Sequence, residues 1–133
     1  MITRRHALIG IAAATAAPLF VHRSWAGTKT LVRGSFTGTN GHETRGTAGI
    51  LEVDGAHMVS LGEDFFFDGA PDPKVALGND GYDPNTLMGP LQSNTGAQNY
   101  PVPDSIDVAQ YNEVWIWCER FNVSLGVAKM NLA

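Results

Sequence analysis

The sequence predicts an all-β domain of short strands, preceded by an N-terminal export signal. Gly, Pro, Asn and Asp recur at short intervals after residue 26, and no stretch there sustains a helical apolar period over three turns. The segments 113–119 and 121–128 alternate with the two-residue period that is typical of strands. These observations favour an antiparallel β-sandwich or a partly closed barrel.

Residues 1–26 have the organisation of a twin-arginine signal peptide. Arg4 and Arg5 precede the apolar run Ala7–Val21, and Ser24-Trp25-Ala26 places small residues at the −3 and −1 positions of a signal-peptidase site. The run is about 15 residues long, short of the roughly 20 that a membrane-spanning helix needs. We expect cleavage after Ala26, periplasmic or secreted localisation, and no stable membrane anchor after cleavage; an uncleaved N-terminal anchor is the alternative.

The charge of the predicted mature domain, residues 27–133, excludes one class of partner. This part carries six Lys and Arg against 13 Asp and Glu, a formal net charge of −7. Such a balance disfavours the phosphate backbone of nucleic acids, because like charges repel at close range. We therefore expect no nucleic-acid binding.

The strands before residue 80 are predicted from the turn signals between them. Asp54-Gly55 is the strongest hairpin signal in the chain. We expect a loop over Asn79–Asn85 and one helical turn over Asp107–Tyr111. The strand candidates in this part are Lys29–Thr37, Gly46–Val53, His57–Leu61, Phe65–Asp68 and Lys74–Leu77.

The two C-terminal strands show the clearest alternation. In the first, Val114, Ile116 and Cys118 share one face, and Trp115 and Trp117 share the other. Because both faces are apolar, we expect this strand in the middle of the fold and interpret both tryptophans as core residues. In the second strand, the residues predicted to share a face are Phe121, Val123, Leu125 and Val127.

From Gly34 onward the order of motifs resembles the DM13 domain family. The matching pieces are Gly34-Ser-Phe36, His42 with Gly46-Thr-Ala-Gly49, Asp54-Gly55, Asp64–Phe67, Pro71–Gly78, Leu87–Tyr100, Val114-Trp-Ile-Trp-Cys118 and Phe121–Ala128. The resemblance covers about residues 30–130. It implies a small β-rich extracytoplasmic module with a role in electron transfer and an envelope redox or surface protein as partner. It also implies that Cys118 is a free thiol or holds a prosthetic group.

Cys118 is the only cysteine in the chain, which is unusual for an exported domain. One interpretation is a small buried hydrophobic residue, since free cysteine is among the most buried residue types. The other is a redox thiol or a ligand, whose pKa needs lowering by nearby positive charge or a metal. Arg120 would lie on the same side as Cys118 if the strand continued. Our hypothesis is that Cys118 is accessible and redox-active.

A haem or metal bound through Cys118 is a further hypothesis, and His42 is the second candidate for cofactor binding. Covalent c-type attachment is excluded, because the chain has no Cys-x-x-Cys-His run. Non-covalent haem could use Cys118, His42, His57, Met58 or Met88 as axial ligands. The cofactor itself is not identified by the sequence.

Acidic residues in the Asn79–Asn85 loop offer oxygen ligands for calcium. Asp80, Asp83 and Asn85 form a loose set of this kind, but the spacing and the glutamate of an EF-hand are missing. Polar turn chemistry explains the same residues without a metal. We therefore predict no metal site.

Hydrolytic chemistry has little support in the chain. It has no Gly-x-Ser-x-Gly elbow, and a dyad of Cys118 with His42 or His57 would depend on the fold. We favour a non-enzymatic role, and two functions remain open. The first is electron transfer or thiol redox chemistry centred on Cys118. The second is a cofactor-free module that binds a protein or glycan, with Cys118 in the core.

Overall fold

The computed structural model describes residues 27–133, and antiparallel strands make up about half of these residues. The predicted signal peptide, residues 1–26, lies outside the described residues. Two one-turn 3₁₀ helices, Pro84–Thr86 and Val108–Gln110, interrupt the strands of the described part. The strands are β1 (Thr28–Gly38), β2 (Thr44–Arg45), β3 (Thr47–Val53), β4 (Ala56–Leu61), β5 (Phe66–Phe67), β6 (Pro73–Gly78), β7 (Gln98–Pro101), β8 (Glu113–Cys118) and β9 (Val123–Leu132).

Seven of these strands form one antiparallel sheet in the order β6-β8-β9-β1-β3-β4-β7. The sheet curls into a nearly closed barrel whose edge strands are β6 and β7. β2 and β5 pair separately as a short two-stranded ribbon. The predicted all-β class is confirmed, and the partly closed barrel describes the architecture better than a sandwich.

The hairpin between β3 and β4 turns at the predicted dipeptide. Asp54 and Gly55 have φ angles of 50° and 85°, the positive values that a type I′ turn requires at both central residues. β8 likewise lies in the interior of the sheet, between β6 and β9, as predicted. Each of these placements follows from local sequence chemistry.

The apolar core fills the inside of the barrel. From β8 it receives Val114, Ile116 and Cys118, which confirms the predicted inward face of that strand. Phe36 and Phe65 meet edge to face, with ring centroids 5.5 Å apart. No buried side-chain nitrogen or oxygen of the described residues lacks a hydrogen-bond partner, so the interior carries no desolvated polar side chain without compensation.

The predicted alternation in β9 is wrong beyond Val123, because a β-bulge interrupts it. Trp117 pairs with Ser124 and Ile116 with Gly126, so Leu125 is the extra residue. Leu125 is buried, but after it the alternation is reversed: Ala128 is buried with the core, and Val127 pairs with Trp115 on the outer face. A single inserted residue therefore moves the rest of the strand to the opposite phase.

The carbonyl of the bulge residue Leu125 attaches the β2–β5 ribbon to the barrel. The Leu125 carbonyl accepts hydrogen bonds from the Thr44 hydroxyl at 2.9 Å and from the Thr39 amide at 3.2 Å. Thr39 directly follows β1, and Thr44 is the first residue of β2. The bulge thus fixes the ribbon at the end of the barrel where β8 finishes, called here the Cys118 end. The opposite end, with the β3–β4 hairpin, is called the hairpin end.

The gap between the two edge strands is bridged by residues 88–93. On one side, the amides of Met88 and Leu91 donate to carbonyls of β6 at 2.8 Å. On the other side, the Gln92 amide donates to the Tyr100 hydroxyl at 2.8 Å, and that hydroxyl donates to Gln98 Oε1. Burial raises the pKa of Tyr100, as expected for a phenol away from water. This segment closes the barrel where the sheet is not continuous.

Removing the hydroxyl in Tyr100→Phe is expected to lower the free energy of unfolding by about 2 kcal/mol, because it leaves the Gln92 amide without an acceptor in a partly buried place. Urea denaturation measures the change. Tyr111→Phe is the matched control, since its hydroxyl donates to the half-exposed Asp83 and should cost less than about 1 kcal/mol. Equal losses in the two variants would contradict the role of Tyr100 in closing the barrel.

Candidate functional site

Cys118 is the last residue of β8 and lies inside the barrel. Its strand neighbours are Pro73 of β6 and Val123 of β9. The residue is 1 % exposed and belongs to the hydrophobic core. The expectation of an accessible thiol is therefore not met. Cys118 is still part of β8, and its side chain is on the inner face of that strand. Whether the thiol is redox-active stays a prediction.

The turn that follows Cys118 is attached to the start of β6 and to the residue before it. The Glu119 amide donates to the Asp72 carbonyl at 3.2 Å, and the Arg120 amide donates to Asp72 Oδ2 at 3.0 Å. Lys74 Nζ contacts the Glu119 carboxylate and lies 3.5 Å from Asp72. The hydrogen bond with Glu119 raises the pKa of Lys74, and the Asp72 charge adds to the effect. These contacts hold residues 119–122, called here the Cys118 turn, against the start of β6.

The strand does not continue to Arg120, so the condition that would place Arg120 on the same side as Cys118 is not met. β8 ends at Cys118, and Arg120 lies exposed in the Cys118 turn. The guanidinium is therefore not carried on the inner face of β8 beside the thiol. The same turn exposes apolar surface, since Phe121 is 60 % and Val123 39 % exposed.

The two tryptophans of β8 lie on the outer face of the barrel, and the prediction that they are core residues is wrong. Trp117 stacks on Tyr82 with ring centroids 3.7 Å apart and an interplanar angle of 11°. Trp115 meets Trp117 edge to face at 5.9 Å. Under these rings Ala76 is fully buried, although it is not part of the barrel core. The apolar outer face of β8 is thus covered by its own aromatic cluster, Tyr82, Trp115 and Trp117.

Glu113 anchors this cluster and was not singled out by the sequence analysis. Its side chain is on the tryptophan face of β8, and the residue is only 4 % exposed. Its Oε1 accepts hydrogen bonds from the Gly81 amide at 2.8 Å and from Trp115 Nε1 at 3.1 Å. A carboxylate that starts an aromatic strand, two and four residues before its tryptophans, is the signal that could have identified it.

His42 lies in the loop before β2, at the Cys118 end of the barrel. Its Nδ1 is 2.8 Å from Asp68 Oδ1, and its ring lies 5.7 Å from the ring of the buried Phe67. Asp68 also accepts a hydrogen bond from the Glu43 amide at 2.9 Å. These two hydrogen bonds lower the pKa of Asp68 below its usual value of 3.8, with the Glu43 amide contributing most. One ring nitrogen of His42 is thus engaged by a carboxylate at the surface.

The lowered pKa of Asp68 predicts a loss of stability in acid. A carboxylate whose pKa is lower in the folded state stabilises the fold above its unfolded pKa, and this contribution disappears as the pH falls through its folded pKa. We expect the urea concentration at the unfolding midpoint to decrease as the pH is lowered from about 5 to about 2. The decrease should be smaller in Asp68→Asn than in the parent. The exposed Asp104 supplies the control, Asp104→Asn, which should follow the parent curve. If Asp68→Asn also follows it, the contribution of Asp68 is refuted.

The other candidate axial ligands are spread over the barrel. His57 lies at the hairpin end, where its Nε2 is 3.7 Å from Glu52 Oε1. Met88 packs against the core from the segment beside β6. Met58, in β4, pairs with Leu51 and Pro101 in the β3–β4–β7 part of the sheet. His57 is placed at the end of the barrel opposite Cys118, so these two residues do not face a common ligand.

The acidic loop is organised by hydrogen bonds within the protein. Asp83 accepts from the Asn85 amide at 2.9 Å and from the Tyr111 hydroxyl at 2.8 Å. Asp80 accepts from Asn112 Nδ2 at 3.0 Å. Within residues 27–133 no group of three or more His, Cys, Asp or Glu side chains is arranged to hold a metal ion. Turn chemistry accounts for Asp80, Asp83 and Asn85.

Haem does not fit between Cys118 and His42 in this conformation. The sulfur is enclosed in the core, and one nitrogen of His42 is hydrogen-bonded to Asp68 outside it. Five clefts found among the described residues are lined by side chains other than Cys118 and His42. A macrocycle needs an open pocket beside its axial ligand, which the packed interior around Cys118 does not provide.

No helix within residues 27–133 has both the length and the apolar content to cross the bilayer.

No curated protein and no solved structure gives a match to this chain. A family model, described as electron transfer DM13, matches residues 35–130. The match runs from the last four residues of β1 to Met130 in β9 and includes Cys118 and His42. The chain therefore belongs to the electron transfer DM13 family.

Proposed function

We propose that this domain transfers electrons through the thiol of Cys118, which becomes reactive when the Cys118 turn opens. The observation that carries the proposal is the position of the only cysteine of the chain. It is enclosed in the core of an electron-transfer family member, directly before an exposed turn. Burial protects the thiol from unspecific oxidation, because susceptibility follows thiolate character and exposure.

The single cysteine restricts the chemistry that the domain can perform. With no second cysteine in the sequence, Cys118 cannot form a disulfide within the chain. In an exchange reaction its thiolate attacks a disulfide of a partner, a mixed disulfide forms and one partner sulfur leaves as a thiolate. A second protein that carries two thiols then attacks the Cys118 sulfur, which releases the first partner with both of its cysteines reduced. The other thiol of the second protein displaces Cys118 as a thiolate, and the second protein leaves with a disulfide, so two electrons have passed from it to the first partner. The partner that fits this role is an envelope protein with a pair of redox-active cysteines.

The place of action that we propose is the periplasm or the cell exterior. Support comes from the sequence of residues 1–26, with Arg4-Arg5, a short apolar run and Ser24-Trp25-Ala26. Residues 27–133 then form the exported domain. N-terminal sequencing of the protein recovered from the cell envelope tests this: a mature chain that starts at Gly27 is expected. A chain that keeps residues 1–26 and stays in the cytoplasm would contradict it.

The thiol proposal predicts that oxidised glutathione forms a mixed disulfide with the folded domain faster than the domain unfolds globally. Intact-mass measurement over time follows the adduct, and urea-jump kinetics give the unfolding rate. Cys118→Ala should form no adduct. An adduct that appears only at the unfolding rate would show that the thiol serves packing alone.

The access route has its own pair of variants. Asp72→Ala removes the carboxylate that accepts from the Arg120 amide, so it should loosen the Cys118 turn and accelerate adduct formation. Asp80→Ala removes a similar loop carboxylate at the hairpin end, where it binds Asn112, and should leave the rate unchanged. Equal rates in both variants would contradict opening at the Cys118 turn.

One observation favours a second candidate function. Cys118 packs with the core residues Val114 and Ile116, which is also what a purely structural cysteine would do. In that case the domain is a cofactor-free binding module, whose exposed Phe121 and Val123 are available to a protein partner. Partner binding that is equally strong in Cys118→Ala, together with no thiol exchange by the parent domain, would favour this function over the thiol proposal.

A further inference from the structure

A cleft of about 680 Å³ opens at the hairpin end of the barrel. It lies between the start of β1, the end of β9 and the 3₁₀ helix Val108–Gln110 with its flanking residues. This is the end of the barrel opposite Cys118, and the cleft includes neither Cys118 nor the Cys118 turn. Barrel mouths are among the preferred positions of small-molecule sites.

The floor of the cleft is apolar and reaches the barrel core. Ile50, which is 1 % exposed and part of the core, lines the cleft. Val108 and Tyr111 come from the segment that crosses the barrel end and pack against the same core. An apolar molecule placed here would continue the packing of the interior and lose its own contact with water.

A β-bulge in β1 widens this apolar surface. Thr30 pairs with Leu51 and Val32 with Ile50, so Leu31 has no partner in β3. As a result, two consecutive residues, Leu31 and Val32, both line the cleft and both pack against the core. Bulges are common at barrel rims and beside binding sites, where they redirect a side chain. A regular strand would have directed one of these residues away from the cleft.

The polar groups of the cleft carry balanced charge. Lys29 contributes one ammonium group and Asp107 one carboxylate, and Asp107 is already the acceptor of the Ala109 amide at 3.1 Å. His57 adds a ring whose Nε2 lies 3.7 Å from Glu52. Lys29 and Asp107 have opposite charges, so these two side chains together favour neither an anion nor a cation. Lys29 remains as a hydrogen-bond donor for a neutral oxygen.

We propose that this cleft binds a small uncharged, apolar molecule that carries a carbonyl or hydroxyl oxygen. The apolar body lies on Leu31, Val32 and Ile50, and the oxygen faces the rim at Lys29 and His57. The site goes beyond the proposed electron transfer and does not depend on Cys118. The two proposals can therefore be tested independently: the domain could show thiol exchange without binding a ligand in the cleft, or bind a ligand without showing thiol exchange.

Nile red, an uncharged dye whose fluorescence rises in apolar surroundings, tests the position of the site. Ala109→Trp places a large ring in the cleft from the exposed side chain of Ala109, and we expect dye binding at least about tenfold weaker. Ala97→Trp makes the same substitution at an exposed position outside the cleft and should bind as the parent does. Thermal unfolding of both variants checks that they are folded. Equal binding by the two variants would overturn the proposal.

The head-group preference is tested with 1-octanol, octanoate and octylamine, which share one apolar chain and differ in charge. The alcohol is expected to displace Nile red at the lowest concentration, and Cys118→Ala should give the same result as the parent. Stronger displacement by octanoate or octylamine, by about tenfold or more, would overturn the inference that the ligand is uncharged. Absence of saturable dye binding to the parent domain would overturn the site itself.

Discussion

Phe65→Ala is expected to lower the free energy of unfolding by about 3–5 kcal/mol, the usual loss for a large aromatic side chain removed from a core. Phe65 is 2 % exposed and packs edge to face on Phe36, so its removal costs both buried apolar area and an aromatic pair. Urea denaturation followed by tryptophan fluorescence measures the change. Phe121→Ala is the matched control, because Phe121 is largely exposed and should change stability by less than about 0.5 kcal/mol.

The same variant separates two routes to the thiol. The stability loss in Phe65→Ala raises the equilibrium constant of unfolding by about a hundredfold or more. If opening of the Cys118 turn exposes the sulfur, the rate of adduct formation in this variant should rise by a far smaller factor. A rise that follows the stability loss in full would mean that only global unfolding exposes the sulfur. The thiol proposal would then lose its route of access.

Gly46→Ala is expected to lower the free energy of unfolding strongly, and Gly41→Ala is its matched control. Gly46 has a φ of 101°, and a Cβ there would lie 2.5 Å from the Asp64 carbonyl oxygen and 2.6 Å from the Phe65 Cα. The positive φ costs about 1–2 kcal/mol, and the backbone collision adds about 1–3 kcal/mol. We expect a total loss near 4 kcal/mol in urea denaturation.

Gly41→Ala isolates the conformational part of that loss. Gly41 also has a positive φ, 78°, but a Cβ there meets no atom within 4 Å. It should therefore lose only about 1–2 kcal/mol. If both alanine variants lose the same amount, the close approach between residue 46 and the segment 64–65 does not contribute to stability.

Much of the barrel was predictable because its signals are local. Asp54-Gly55 specified a hairpin through its backbone preference, and the inward face of β8 followed from the alternation of Val114, Ile116 and Cys118. The phase of β9 was not predictable from alternation alone. Its bulge is stabilised by Thr44 and Thr39, which are distant in sequence and satisfy the carbonyl of Leu125.

The candidate site was predicted less well than the fold. Cys118 could be located on an apolar face, but its exposure depended on where β8 ends, and the contacts of Asp72 with the turn are formed across the sheet. The tryptophans were misplaced because an apolar outer face looks the same in sequence whether a second layer or a loop covers it. Here Tyr82, from the 79–85 loop, provides the cover.

The length of β8 has a consequence for how the domain can change. β8 has six residues, from Glu113 to Cys118, so the Cys118 end and the hairpin end lie roughly 17 Å apart along this strand. Substitutions farther apart than about 10 Å usually have additive effects on stability. Substitutions at the two ends can thus accumulate independently: the proposed ligand cleft could change without affecting the packing around Cys118, and a reporter group attached at one end would leave the other end undisturbed.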